Sequence, residues 1–285
     1  MGDCRVFGRG ADVESKYCVI LAKGPDSCQV KAPEETFIQT SALTTPGSSL
    51  TLIGTVHHDP HSAAPLAGLL EQLQPDRLTV EISPEVVAYR QTHGLLLLRK
   101  LGMILERLIG PSVSTSMLAE HPAIVAIRNL LALPYEFRVA CAYAREKGIE
   151  VQAIDQSDIS LTKLRQVEEK LISLHHLKRL VSSPGGTPPG NAHRYKLARQ
   201  FLTSPDAGLR RAFLQGCRGE EGIGPRDRHL AEKIRLLLQN QPGHLVHIGG
   251  WVHLLDDPGG ETLYALLSDL HPRRLILDPD YPLIP

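Results

Sequence analysis

The two ends of the chain repeat one pattern: an apolar strand that ends in Gly-x-x-His, a leucine-rich helix, and a second apolar strand that ends in an acid. The first copy contains His57 and ends at Glu81, and the second contains His253 and ends at Asp278. Short connections between a strand, a helix and a further strand are typical of a right-handed βαβ unit with parallel strands. The repeat therefore predicts the α/β fold class, with a mostly parallel sheet formed by two related βαβ units at the chain ends.

The alignment of the two copies extends beyond the histidines. When His57 is placed on His253, Gly54 falls on Gly250, and one inserted loop residue also aligns the helix leucines and the proline that follows them. Any two βαβ units share leucines, but they do not share a Gly-x-x-His at the end of the first strand. Open α/β sheets bind ligands beyond the carboxyl ends of their strands, near a switch in strand order. We therefore expect one crevice lined by both histidines and by the acids that end the second strands.

The domain organisation follows from changes in composition along the chain. Residues 1–48 are rich in Gly, Ser, Thr and Pro, and we expect a poorly ordered N-terminal arm there that contains at most one hairpin. Residues 49–285 are predicted to form a single α/β domain. Its middle, about 95–240, shows apolar residues at helical spacing and is predicted to be a large helical insertion, with one short strand at 151–154. The Pro- and Gly-rich segment 182–190 is predicted to be an exposed loop.

Charge and motifs exclude several function classes. The net charge is zero and the pI is about 7.2, which argues against a nucleic-acid partner. The five cysteines include no Cys-x-x-Cys pair, and this favours a reducing, cytoplasmic location without a thiolate zinc site. No apolar run is long enough for a transmembrane segment. The sequence also has neither the Gly-x-Ser-x-Gly motif of serine hydrolases nor the phosphate-binding loop of NTPases.

Three residues form the candidate chemical centre. An imidazole that leaves a strand end, as His57 does, can ligate a metal or act as a general base, although a loop-capping role is also open. Glu81 ends an apolar strand, where an acid is seldom buried unless it is paired or bound to a metal. With His253 these residues would suit a divalent ion, Mn, Co or Zn. The alternative for Glu81 is a pair with an arginine.

Other residues receive secondary roles. Arg226, at the start of a helix, is expected to hold Glu81 or to bind a substrate carboxylate, and a surface position is the alternative. Trp251 is expected to pack either on substrate or in the core. The polar residues that follow the first motif are expected to be solvated loop residues at the mouth of the crevice: His58, Asp59 and His61.

The ordered set of motifs resembles the TraB/PrgY/GumN family, which is related to the Tiki proteins and more distantly to erythromycin esterase and the ChaN haem-binding lipoproteins. The resemblance covers about residues 50–280, nearly all of the chain beyond the arm. The segments that carry it are Leu52-Ile53-Gly54-Thr55-Val56-His57, Thr79-Val80-Glu81-Ile82, Arg226-Asp227 and Ile248-Gly249-Gly250-Trp251-Val252-His253. The chain departs from the family in its bulky Trp251, where small residues are common, and in having none of the C-terminal membrane helices of many members.

The resemblance implies a metal-dependent hydrolase that acts on peptide or amide substrates, since Tiki proteins are described as metal-dependent proteases. His57, Glu81 and His253 would be the central catalytic residues and the metal ligands, and Arg226 an auxiliary catalytic residue. A bound ion lowers the pKa of its water and polarises the scissile carbonyl. The alternative function is a non-catalytic module that binds a peptide or haem in the same crevice.

Overall fold

The computed structural model describes residues 19–22, 28–31, 47–59, 61–109, 114–156, 158–182, 191–219 and 222–278. In this part of the chain, seven strands form one sheet, in the spatial order β2-β1-β5-β4-β6-β3-β7. The strands are β1 (Val19–Ala22), β2 (Cys28–Lys31), β3 (Ser49–Thr55), β4 (Arg77–Val80), β5 (Glu150–Ala153), β6 (His244–Gly250) and β7 (Arg273–Ile276). The five strands from β5 to β7 are parallel, and β1 runs antiparallel to both of its neighbours.

Helices connect the parallel strands. They are α1 (Ala63–Leu73), α2 (Pro84–Tyr89), α3 (Leu95–Glu106), α4 (Thr115–Glu120), α5 (Pro122–Leu131), α6 (Tyr135–Lys147), α7 (Asp158–Lys170), α8 (Leu174–Ser182), α9 (Asn191–Thr203), α10 (Ala207–Cys217), α11 (Pro225–Asn240) and α12 (Leu263–Leu266). A π-helical turn, Arg90–Gly94, joins α2 to α3, and a 3₁₀ turn, Trp251–Leu254, follows β6. The predicted α/β fold class with a mostly parallel sheet is confirmed.

The central strands are covered on both faces. One apolar cluster includes Ile53 and packs the sheet against α1 and α6, and another includes Leu52 and packs the opposite face against α11 and α12. Alternate residues of a strand point to opposite faces, so neighbouring apolar residues serve both layers. β3 and β6 are accordingly buried on both sides, as is typical of central parallel strands, and their polar residues Thr51 and His247 are buried with the apolar ones.

The two copies of the sequence repeat interleave in the sheet. When β3 is exchanged with β6 and β4 with β7, the order β4-β6-β3-β7 becomes the same order read from the other edge. An approximate two-fold axis between the two central strands requires this relation. Gly54 of β3 pairs with Gly249 of β6, one residue away from the glycine with which the sequence alignment matches it. The first strands of both copies therefore lie side by side, and their histidine motifs leave the sheet at the same edge.

The outer strands of the two copies differ in register. Leu52 of β3 pairs with Arg274 of β7. If β3 and β7 paired in the same register as their counterparts β6 and β4, the partner of Leu52 would lie three residues later in the chain. Asp278 consequently lies beside Val56, the residue that follows the end of β3. It forms an ion pair with Arg199 of α9. Asp278 is therefore not the structural counterpart of Glu81 that the alignment predicted.

The described residues of the middle, about 95–240, are mainly helical, and β5 is the strand among them that joins the sheet beside β4. Residues 183–190 of the predicted loop and most of the predicted arm at 1–48 lie outside the described residues, whereas Ser182 is the last residue of α8. Within the arm, β1 and β2 pair antiparallel. None of the helices in the described part of the chain combines the length and the apolar character needed to span a bilayer.

Candidate functional site

The predicted central residues lie together at the carboxyl edge of the sheet. Glu81 directly follows β4, His57 follows β3 by two residues, and His253 lies in the 3₁₀ turn after β6. A Cβ atom built on Gly250 would lie 3.0 Å from His57 Nε2, 3.4 Å from His253 Cδ2 and 3.7 Å from Glu81 Oε2. These three side chains therefore surround one point, because β4, β6 and β3 are parallel neighbours that end at the same level.

Glycines make this close approach possible. A Cβ atom on Gly249 would lie 2.6 Å from Glu81 Oε2 and 2.9 Å from His247 Nε2, closer than real Cβ contacts. A Cβ atom on Gly54 would lie 2.9 Å from the backbone Cα of Trp251, so the end of β3 could not approach the 3₁₀ turn with a larger residue. Because these glycines have no side chain, Glu81 and His247 can lie against the backbone at Gly249, and the 3₁₀ turn can lie against the end of β3.

A buried acid orients His57. His57 Nδ1 lies 2.8 Å from Glu136 Oε1, and the Thr55 hydroxyl lies 3.1 Å from the same oxygen. The Glu136 side chain is 3% exposed, whereas that of His57 is 45% exposed and faces the crevice. Partial burial opposes a charge on the imidazole, but the hydrogen bond that the ring donates to Glu136 and the charge of Glu81 outweigh this effect and raise the pKa of His57.

A second buried acid holds His253 in the same way. His253 Nδ1 lies 2.9 Å from Asp227 Oδ1, which also accepts a 2.6 Å hydrogen bond from the Leu263 backbone N–H. His253 Nε2 lies 3.3 Å from Glu81 Oε1. Burial disfavours the imidazolium, but Glu81 and Asp227 stabilise it strongly and raise the pKa of His253 to about 10. Each histidine of the repeat is therefore held through Nδ1 by an acid from the first turn of a helix, α6 or α11.

Glu81 is fixed by an arginine and by the backbone. Arg226 Nη2 lies 2.7 Å from Glu81 Oε1, and the Gly250 N–H donates a 2.6 Å hydrogen bond to Glu81 Oε2. Arg226 also donates two hydrogen bonds to the Asp155 carboxylate, of 2.8 Å and 2.5 Å. Burial alone would raise the pKa of Glu81, but Arg226 and His253 hold it well below the usual range. Glu81 is thus ionised, and the expected pair with an arginine is present.

Sequence reasoning missed four of these residues. Asp155 follows a predicted strand and Asp227 belongs to the Arg226-Asp227 segment, but the sequence indicated no role for either acid. Glu136 gave no signal, because an acid in the first turn is an ordinary feature of helix starts. The fourth is His247 of β6, which is fully buried, has Nδ1 3.0 Å from the Thr79 hydroxyl, and has no hydrogen-bond partner for Nε2 in the described part of the chain. Burial lowers the pKa of His247 to about 4, so this ring is neutral.

The donor set, as arranged, does not fit a divalent ion. Within the described residues, no group of three or more His, Cys, Asp or Glu side chains is placed to hold one. The physical reason lies in the contacts of Glu81, whose oxygens already face Arg226, His253 and the Gly250 N–H. An ion would have to displace the proton of His253, since a histidine ligand must be neutral.

The remaining predicted residues have different surroundings. His58 is exposed and has a left-handed backbone, with φ of 65°, which is unusual for a residue other than glycine. Asp59, expected to be solvated, is only 2% exposed and accepts hydrogen bonds from Ser62, Tyr195 and Asn191. It ties the loop after β3 to α9, so the expectation for Asp59 was wrong. Trp251 stacks on Phe213 at a 5.7 Å centroid distance, which is core packing.

Comparisons with models of known families, with curated proteins and with solved structures find no match to this chain. The resemblance to the TraB/PrgY/GumN family therefore stays a prediction from the motifs.

Proposed function

We propose that the protein is a hydrolase that cleaves peptide or amide bonds in the crevice at the carboxyl ends of β3, β4 and β6. The observation that carries the proposal is the pair of His57 and Glu136, at 2.8 Å, with the other ring nitrogen close to Gly250, around which Glu81 and His253 also lie. A histidine held by a buried carboxylate is the usual arrangement of a general base. The family resemblance favours the same reaction class.

His57 acts as the general base that activates the nucleophile, a water molecule, in this proposal. Glu136 accepts a hydrogen bond from the Nδ1–H of the ring, so the proton stays on Nδ1 and Nε2 is free to take a proton from a water molecule. As the water oxygen attacks the scissile carbonyl carbon, His57 becomes positively charged, and the nearby carboxylate of Glu136 stabilises that charge. Because Glu136 is shielded from water by its burial, the attraction is stronger than it would be at the surface.

His253 supplies a proton to the leaving nitrogen. Both of its ring nitrogens face carboxylate oxygens, those of Asp227 and Glu81, and this requires a proton on each. When the carbon–nitrogen bond breaks, the nitrogen takes the Nε2 proton, and exchange with solvent passes the proton gained by His57 back to His253. Arg226 keeps Glu81 ionised and in place, and its charge favours the negative charge that develops on the carbonyl oxygen.

The divalent ion remains a separate prediction, tested by metal analysis of the purified protein. If Mn, Co or Zn binds, we expect about one equivalent per chain, lost in His57→Ala and His253→Ala, and hydrolysis that a chelator abolishes. If the two histidines act alone, we expect turnover by protein without metal and no effect of the chelator. The contacts that already occupy Glu81 favour the second result.

The test of the proposal is hydrolysis of a peptide library by the wild-type chain, by His57→Ala and by a matched control. We expect His57→Ala to lower turnover by about 10²- to 10⁴-fold, the usual contribution of a general base. The thermal melt should change little, since the ring is half-exposed. His175→Ala, which alters an exposed histidine on α8, should retain wild-type turnover.

Two outcomes would overturn the proposal. Turnover that survives in His57→Ala would show that this residue is not the base. Saturable peptide or haem binding, without any product from the wild-type chain, would favour the alternative of a non-catalytic binding module.

A further inference from the structure

The proposed base lies in a tight turn with an unfavourable backbone conformation. The Asp59 N–H donates a hydrogen bond of 3.4 Å to the Val56 carbonyl oxygen, which makes His57 and His58 the two central residues of a β-turn. His58 has a φ of 65°, whereas glycine or asparagine is usual where a turn requires a positive φ. Such a conformation persists only where the surrounding structure holds it. The direction of His57 therefore depends on what fixes the ends of this turn.

The Asp59 carboxylate joins the far end of the turn to two helices. One oxygen accepts hydrogen bonds from the Asn191 side-chain amide, at 3.0 Å, and from the His61 N–H, at 3.1 Å. The other oxygen accepts hydrogen bonds from the Ser62 and Tyr195 hydroxyls, at 2.5 Å and 2.6 Å. Ser62 is the N-cap residue of α1, and Asn191 and Tyr195 belong to α9. The turn, the start of α1 and the first turns of α9 thus meet at one acid.

Burial protects this network, and α9 is held at a second point. Asp59 and Tyr195 are each 2% exposed, so water does not compete for their hydrogen bonds. Asn191, Tyr195 and Arg199 follow one another at intervals of four residues, which places them on one face of α9. Arg199 forms an ion pair with Asp278, which lies beyond the end of β7. The position of α9 at the carboxyl edge of the sheet is therefore set by two buried acids.

The contact between His57 and Glu136 does not fix the base by itself. It holds only Nδ1, so a shift of the His57 backbone would turn the ring about this atom and displace Nε2. The anchored turn prevents such a shift, and Arg194 of α9 adds a hydrogen bond of 3.4 Å to the His57 carbonyl oxygen. A general base must lie within hydrogen-bond reach of the proton that it takes, and a displacement of about 1 Å can lower turnover about 10²-fold.

We infer that Asp59 is a positioning residue for His57, and that it acts by anchoring the His57–His58 turn to α9. The inference rests on the proposed function, in which His57 is the general base. It assigns a role to α9 as well, because this helix from the middle of the chain supports the base from outside the sheet.

The test measures kcat and KM of peptide hydrolysis well below the melting temperature of each variant. We expect Asp59→Ala to lower kcat about 10- to 100-fold and to change KM by less than about threefold, because the base is displaced while the substrate still binds. Tyr195→Phe removes one of the four hydrogen bonds that Asp59 accepts and keeps the aromatic ring, so kcat should fall less.

The matched control is Asp257→Ala. Asp257 is also a buried acid, and it accepts hydrogen bonds from the Gly259 and Glu261 N–H groups and from Arg218, none of which belongs to the turn or to α9. Its loss should lower the melting temperature, as the loss of Asp59 does, but should leave kcat unchanged. A decrease of kcat as large as that in Asp59→Ala would indicate a general effect of destabilisation and would overturn the inference.

A second measurement does not depend on catalysis. NMR relaxation dispersion of the His57 ring detects exchange on the μs–ms timescale, and we expect such exchange in Asp59→Ala but not in the wild type or in Asp257→Ala. If this difference is seen in a protein that hydrolyses nothing, the anchor stands and only the hydrolase is rejected. Wild-type kcat in both Asp59→Ala and Tyr195→Phe, or a His57 ring that is equally rigid in all the variants, would overturn the inference. If Asp59→Ala does not fold, Tyr195→Phe serves for both measurements, since phenylalanine preserves the packing of α9.

Discussion

Glu136→Gln is expected to lower turnover by about 10²- to 10⁴-fold without lowering stability. The glutamine keeps the shape of the side chain but removes the charge that stabilises His57 when it takes a proton. An amide nitrogen facing Nδ1 would also favour the wrong ring tautomer. Stability should hold or rise, because Glu136 Oε2 has no hydrogen-bond partner in the described residues and its burial as a charge is unfavourable.

The measurement is the turnover rate together with the free energy of unfolding from denaturant titration. Glu146→Gln is the matched control, because Glu146 lies on the same helix with its side chain 69% exposed, and we expect it to retain wild-type turnover. Thr55→Val removes the second hydrogen bond to Glu136 and should have a smaller effect than Glu136→Gln. Turnover within threefold of wild type in Glu136→Gln would exclude Glu136 as the group that orients the base.

Arg226→Met is expected to lower the free energy of unfolding by about 3–5 kcal/mol, as loss of one partner from a buried ion pair does. Arg226 stands between two buried carboxylates, those of Glu81 and Asp155, whose side chains are 1% and 5% exposed. Methionine fills much of the same volume but leaves both acids without their counter-charge. In the wild type the pKa of Glu81 is depressed, so its contribution to stability is present near neutral pH and is lost as the pH falls toward that depressed value.

The loss in Arg226→Met should therefore be largest near neutral pH and should shrink in acid, where the freed carboxylates take up protons. Arg228→Met is the matched control, two residues further along α11, since this arginine is 50% exposed and lies 3.6 Å from Glu261. An exposed pair of this kind contributes about 0–1 kcal/mol. Adding Glu81→Gln and Asp155→Asn to Arg226→Met should restore most of the stability. A loss below about 1 kcal/mol in the single variant would contradict the assignment of Arg226 as the counter-charge.

The elements that hold the site could be predicted because they depend on local patterns. Apolar runs that end in Gly-x-x-His identify the strands β3 and β6, and an acid at the end of an apolar strand identifies Glu81. Parallel strands deliver their carboxyl ends to one edge of a sheet, so the meeting of His57, Glu81 and His253 follows once the strands are paired. Burial of Glu81 as an ion requires a cation nearby, but the choice of Arg226 rested on its position at a helix start and on the family resemblance, and a surface position remained the alternative.

The partners of these residues could not be predicted, because they come from distant segments whose sequence is ordinary. Glu136 is an ordinary acid in the first turn of α6, and only the packing of that helix against the sheet places it 2.8 Å from His57. Asp59 follows a histidine in a polar loop, and only the docking of α9 buries it. Asp278 aligns with Glu81 in the sequence repeat. A sequence alignment does not give the register in which β7 pairs with β3, and that register places Asp278 at a different level of the sheet from Glu81.

The sequence by itself determined the fold class, the edge of the sheet at which the functional groups lie, and three of the groups themselves, because these depend on the period and ends of single strands. The tertiary structure alone decided the protonation and charge of the site. Whether a histidine carries one proton or two, and whether a carboxylate is open to an ion or held by an arginine, depends on which side chains lie within about 3 Å. In this chain those side chains come from α6, from the segment that follows β5 and from α11, which only folding brings to the ends of β3, β4 and β6.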